Sequence, residues 1–253
     1  LNHFRMTGGE PIMDRNTYRV FDYVLENPKS DLHLSTTSNF SVDEKLWKKY
    51  KYYLQQLCTE GTVEHFMQYV SVDAWGKRAE YIRHGLDFDL MWGRVHEYLR
   101  DVPSKNSLTF IVTMNNLSLT TLKQLLENIL SLRKEYSVTY QRVWFDTPVL
   151  RQPAWQSLQT LPDSYVCLLE ECLEFMKENI ETEETRFTGF KDYEINRLDR
   201  DIAWMKSNLV TSELQNNRAD FHRFFAEHDK RRGTNFIETF PEMTEWWKEC
   251  KHH

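Results

Sequence analysis

The sequence predicts an α/β protein: an incomplete parallel (β/α) barrel of about five strands, followed by a helical C-terminal region. Three observations predict it. Short apolar–polar alternations recur between stretches of helical periodicity, one unit about every 30–40 residues, long enough for parallel crossovers. Each alternating run ends in a polar, turn-forming sequence. After Pro148 the alternation stops and only helical periodicity is left. The expected division is therefore 1–150 for the barrel core and 151–253 for the helical region.

Residues 1–6 alternate and run into the turn Thr7-Gly8-Gly9-Glu10-Pro11. Asp14 is a good N-cap, and Tyr18, Val20, Phe21, Val24 and Leu25 recur at helical spacing until Asn27-Pro28 stops the helix. Residues 31–37 (DLHLSTT) alternate as a strand. A second helix starts at Ser41-Val42-Asp43-Glu44 and carries Leu46, Trp47, Tyr50, Leu54 and Leu57 on one side, with Glu60-Gly61-Thr62 breaking it. The third strand is expected over 63–72, a helix over 88–99, a fourth strand over 107–113, a helix over 120–132 and a fifth strand over 140–145. Beyond these, 164–180, 193–209 and 217–228 read as helices, and Phe240-Pro241 and Trp246-Trp247 form an aromatic terminal segment.

Composition narrows the function classes. Hydrophobic residues make up 40% and charged residues 28% of the 253, a soluble, globular balance. No apolar run approaches the roughly 20 residues of a membrane helix. A net charge of −6 argues against a general nucleic-acid binder. No basic region is followed by an apolar one in the manner of a secretory signal, so the expected location is the cytoplasm. Cys58, Cys167, Cys172 and Cys250 lack CxxC or zinc-type spacing. They read as free thiols in a reducing compartment; a Cys167/Cys172 ligand pair for an extra iron–sulfur cluster is the competing reading. No metal-ligating set is assigned.

Candidate functional residues are the polar strand ends, because parallel β/α sheets collect their functional groups where strands give way to loops. These ends are Thr7-Gly8-Gly9-Glu10-Pro11, Thr36-Thr37-Ser38-Asn39, Ser71-Val72-Asp73, Thr113-Met114-Asn115-Asn116 and Phe145-Asp146-Thr147-Pro148. Gly8 and Gly9 permit close backbone approach to a ligand, and Glu10 places a carboxylate where it can accept bonds from an ammonium group.

These motifs resemble a known family. Residues 6–12 (MTGGEPI) are similar to the GGEP motif that closes the second barrel strand of radical S-adenosylmethionine (SAM) enzymes. Residues 68–74 (QYVSVDA) resemble the S-x-D-G end of their fourth strand, with Ala74 in place of the usual glycine. Residues 76–85 (GKRAEYIRHG), 221–236 (FHRFFAEHDKRRGTNF) and 240–242 (FPE) resemble the subgroup with a Twitch domain. The resemblance spans nearly the whole chain.

The resemblance implies an enzyme that binds a 4Fe–4S cluster and SAM, takes an electron from an external donor, and generates a 5′-deoxyadenosyl radical for hydrogen abstraction. Gly8, Gly9 and Glu10 would hold the methionyl amino group. Thr37, Ser38 and Asn39 match the third-strand contact loosely. Ser71 and Asp73 would lie near the methionyl carboxylate and ribose, with Arg83 a carboxylate partner, Asn115 a ribose contact, and Phe145 and Asp146 beside the adenine. The subgroup leans toward a peptide or protein substrate. The family's CxxxCxxC cluster motif is absent, and its natural place is just before Leu1, so the chain is expected to be an N-terminally truncated fragment, inactive alone. The alternative is a non-catalytic barrel relative, a binding or scaffold protein using Phe236, Phe240, Trp246 and Trp247 for partner contacts.

Overall fold

Alternation of apolar and polar residues over short runs, separated by amphipathic stretches with Asp N-caps, produces a sheet with helical crossovers in the computed structural model, which describes residues 1–103, 105–207 and 209–252. The strands are β1 (His3–Met6), β2 (Lys29–Ser38), β3 (Val63–Ser71), β4 (Asn106–Ile111) and β5 (Val143–Asp146). They form one five-stranded sheet in chain order, parallel throughout, with β1 and β5 at its edges. An all-parallel sheet of this order is compatible with a partial barrel. The crossovers are α1 (Arg15–Glu26), α2 (Glu44–Leu57), the pair α3 (Lys77–Ile82) and α4 (Phe88–Asp101), and α5 (Leu122–Tyr136). Asp14, Asp43 and Asp87 each accept a backbone N–H at the start of α1, α2 and α4.

The described residues divide into two compact units. The first comprises 1–72, 85–111 and 129–146 and holds the whole sheet. Its helices cover one sheet face, where Phe21 meets Phe66 and Trp92 stacks on Phe110. That face is apolar at Leu34, Phe66, Val70, Leu108 and Phe110, all buried. It also encloses one polar network, in which Tyr50 and Thr36 both bond to Gln68 Oε1, at 2.6 and 2.9 Å. Because side chains alternate along a strand, the opposite face presents His33, Ser35 and Thr37 of β2 and His65, Met67, Tyr69 and Ser71 of β3.

The second unit comprises 73–84, 112–128 and 147–253. It contains α6 (Val166–Glu178), α7 (Asp192–Lys206), α8 (Thr211–Arg232), α9 (Phe236–Thr239) and α10 (Thr244–Lys251). It is thus not confined to the C-terminal region, since it also takes in the segments that follow β3 and β4. Its core is aromatic: Phe221, Phe225, Phe236, Phe240 and Trp246 are all buried.

Strand and helix order agree with the sequence reading; boundaries differ. The fifth strand begins at Val143, not 140, because Ser137 and Tyr140 serve a turn: Arg142 N–H donates to Ser137 Oγ and the Tyr140 hydroxyl to Asn106 O. Helix α8 starts at Thr211, well before 217, and the aromatic terminal segment is helical. Asn208, inside the helix expected over 193–209, and His253 lie outside the described residues. No helix among the described residues is long and apolar enough to cross a membrane.

Candidate functional site

At the end of β1 the chain turns through Gly8 and Gly9, both at positive φ (+94° and +58°). A Cβ built on either meets no heavy atom within 4 Å, so the left-handed backbone, rather than crowding, demands glycine here. The turn is closed by the Met13 N–H donating to Glu10 O and by the Tyr18 hydroxyl of α1 donating to Ile12 O at 2.7 Å. Glu10 comes out of it half-buried. Its carboxylate accepts the Ile12 N–H at 3.1 Å and has the Ser38 hydroxyl and the Asn39 N–H as polar neighbours. Burial raises the carboxyl above its usual range, and those three donors oppose the rise without cancelling it. No cation among the described residues pairs with it.

Two of the predicted strand ends, those of β1 and β2, are therefore joined by one carboxylate. Ser38 is buried, lies beside Glu10 with its hydroxyl and accepts the Phe40 N–H at 2.9 Å. The Asn39 carboxamide accepts the Ser41 N–H, so its side chain caps the loop. Phe40 sits at φ +60°, a left-handed conformation that a bulky residue holds only under constraint. The constraint is Arg94 of α4, which is 2% exposed and donates from Nη1 to the carbonyls of Phe40 and Val42.

The other predicted residues of the first unit lie apart from this carboxylate. Thr37 points to the face opposite the helices, where Arg5 donates to its Oγ1 at 3.1 Å. Ser71 is level with Ile111 and Asp146 at the C-terminal end of the sheet. Phe145 is turned the other way: it is buried on the helix-covered face with the Arg133 guanidinium 5.6 Å from its ring centroid. Alternation on a four-residue strand fixes that choice.

In the second unit Asp73 and Arg83 are brought together, with Nε to Oδ2 at 2.8 Å and Nη2 to Oδ1 at 3.1 Å. Burial raises the Asp73 carboxyl, and Arg83 and the Thr113 N–H, 2.8 Å away, pull it back. Arg83 is thus committed to Asp73 instead of standing open for a ligand carboxylate. Asn115 is buried and committed too: Oδ1 accepts the Leu117 N–H and Nδ2 donates to Thr113 O, both at 2.9 Å.

The three stretches that suggested a subgroup meet within this unit through Arg78 and Tyr81. Arg78 binds Glu242 at 2.7 Å and Thr239 O at 3.2 Å. Tyr81 donates to Asp229 at 2.8 Å and packs its ring on Phe225, Phe236 and Phe240. Three of the four aromatic residues offered to a partner in the scaffold alternative are thereby core, Phe236, Phe240 and Trp246 being at most 2% exposed, and Trp247 is half-buried.

No family model, curated protein or solved structure matches this chain.

The described cysteines do not fit a 4Fe–4S cluster. Cys58, Cys172 and Cys250 are buried, and burial pushes each thiol up to about 12, away from the thiolate a cluster needs. Cys167 is exposed and turned to Ser164 O, so it does not pair with buried Cys172. No group of three or more His, Cys, Asp or Glu among the described residues is arranged to hold a metal.

Sequence reasoning missed the residues that line the face opposite the helices. His3, His33 and His65 share one rung of β1, β2 and β3. Arg5 lies over the Tyr69 ring at 3.8 Å. The alternation in residues 31–37 carried half of the signal; the pairing register carried the rest.

Proposed function

We propose that the C-terminal end of this sheet binds SAM, with Glu10 receiving the methionyl ammonium group, and that the chain supplies most of a radical SAM barrel. The observation behind this is the Glu10 carboxylate. It is half-buried, bonded by the Ile12 N–H with the Ser38 hydroxyl and the Asn39 N–H of the next strand end beside it, and accompanied by no cation among the described residues. A carboxylate with a raised pKa is a group whose burial an incoming ammonium would offset. Ends of parallel strands are where α/β proteins bind their ligands. The MTGGEPI resemblance supplies the identity of the ligand. Gly8, Gly9, Ser38 and Asn39 then act by shaping and orienting the carboxylate, and Ser71 and Asp146 stand at the same end of the sheet.

In the enzymes it resembles, a cluster delivers an electron to bound SAM and yields the 5′-deoxyadenosyl radical. The described cysteines do not fit that cluster, so its ligands and the electron donor must come from outside the described residues. The role of this chain is to bind and orient SAM for a substrate, with a peptide or protein favoured by the subgroup motifs.

Equilibrium dialysis of labelled SAM against the chain tests this. Saturable binding is expected, weaker by about 1.5–3 kcal/mol in Glu10→Gln, the usual scale of a charge-assisted hydrogen bond. Unchanged affinity in that variant would make Glu10 a turn residue and overturn the assignment.

A further inference from the structure

The face of the sheet opposite the helices carries a cluster that the SAM reading does not use. His3, His33 and His65 are direct register partners across three parallel strands. The His3 and His33 rings stack at 4.6 Å, and the His33 and His65 rings lie 6.4 Å apart. His65 Nε2 is 2.6 Å from the Ser107 hydroxyl. Further along the same face, the Arg5 guanidinium carbon lies 3.8 Å from the Tyr69 ring centroid and Arg5 donates to Thr37. The three histidines, Arg5 and Tyr69, together with Ser35 and Met67, line a cavity of about 420 Å³, a size suited to a small organic ligand or one side chain of a larger one.

The charges in this cavity are unequal. Burial lowers the His65 pKa, and the neighbouring His33 lowers it further. His65 is thereby held in its neutral form at neutral pH, and the rung presents aromatic faces to the cavity. Arg5 is the fixed cation. It pairs with no carboxylate among the described residues, and no acidic side chain lines the cavity. Stacking and the Thr37 bond hold the guanidinium plane in place, while its remaining N–H groups stay available for a planar oxyanion. A single fork with neutral donors beside it suits a monoanionic carboxylate better than a phosphate dianion, which calls for more positive charge.

We infer that this face is a binding site for a carboxylate-bearing group of the substrate, anchored by Arg5 and walled by the His3–His33–His65 rung. Only the word substrate rests on the SAM reading; the carboxylate site rests on the geometry of the first unit alone.

The probes are glutarate, the capped tripeptide acetyl-Ala-Glu-Ala-amide, its Gln counterpart and inorganic phosphate, each titrated into the 253-residue chain at pH 7.5 by calorimetry and by the Arg Nε–H and His ring NMR signals. Both carboxylate probes are expected to give saturable shifts at Arg5 and His33, and the Gln peptide none. The tighter of the two tells a free acid from a peptide side chain. Arg5→Gln should weaken binding at least tenfold. Arg5→Lys, which keeps the charge and loses the fork, should weaken it several-fold and decides the case should Arg5→Gln fail to fold. Equal binding of the Glu and Gln peptides, phosphate binding in place of carboxylate, or an unchanged affinity in both variants overturns the inference. Glu10→Gln should leave glutarate binding intact. Carboxylate binding without SAM binding would therefore sink the SAM assignment and leave this site standing, and the reverse result would sink this site alone.

Discussion

Glu10 and Asp73 are both carboxylates that follow parallel strands, and burial raises the pKa of both, yet they are held in different ways. Asp73 has a guanidinium in contact through two nitrogens and a backbone N–H besides. Glu10 has only neutral donors, one hydroxyl and two N–H groups. The first arrangement is closed, because its charge is answered within the chain. The second is satisfied in hydrogen bonds and unanswered in charge. This difference, rather than position at a strand end, separates a structural carboxylate from one suited to a cationic ligand. Sequence reasoning could not make the distinction, since GGE and SVD each end in an acid after a strand.

The comparison breaks most readily at Arg83. Arg83→Met leaves a buried carboxylate without its partner and should cost about 3 kcal/mol at pH 7, the low end for a broken buried pair because Arg83 keeps some solvent contact. Urea unfolding at pH 7 and at pH 4 checks it: the loss should shrink in acid, where Asp73 takes up a proton. An equal loss at both would mean that Asp73 is already neutral in the folded protein.

Next in size is Arg94→Met, which removes the donors that hold the carbonyls of Phe40 and Val42. About 2–3 kcal/mol should be lost, the scale of a hydrogen bond to a charged group. Hydrogen exchange should quicken at residues 39–42 before it does so in the strands. Protection unchanged there would show that the strained Phe40 backbone is held by packing alone.

Ser38→Ala removes the buried acceptor of the Phe40 N–H and should cost about 1 kcal/mol; it should also push the Glu10 carboxyl still higher, since the Ser38 hydroxyl is one of the groups lowering it. A carboxyl-resolved NMR titration reads the shift; a fall in the Glu10 pKa would contradict the bonding described here.

The smallest effect concerns Glu10 itself. Its folded pKa lies above the ordinary 4.5, so the folded state binds the proton more tightly than the unfolded one. This group therefore favours folding most below 4.5, and that contribution fades as pH rises through the folded value. Glu10→Gln should be at least as stable as the parent at pH 7, and the difference should vanish below pH 4.5. A variant clearly less stable at neutral pH would mean that the charged carboxylate is a net stabiliser, and the contrast with Asp73 would collapse.

Much of the first unit was legible in advance. Alternation over 31–37 and helical spacing of Tyr18, Phe21 and Val24 are local signals, because side-chain direction follows from the period of each element. Element ends were less so: β5 starts late because a turn recruits Ser137 and Tyr140, residues whose partners lie elsewhere in the chain. Phe145 read as a site residue and is core, since a shift of one position on a strand reverses the face.

By itself, then, the sequence determined the order of strands and helices, the parallel arrangement and the strand-end position of Glu10, because periodicity, capping and glycine conformation act over a few residues. Tertiary structure alone decided that Glu10 would meet Ser38 and Asn39, that Arg83 would close on Asp73, and that three histidines would fall on one rung. It also joined Arg78 to Glu242, 164 residues away. Register and long-range pairing depend on how whole elements pack, and residues far apart in the chain carry no local mark of the partner they will find.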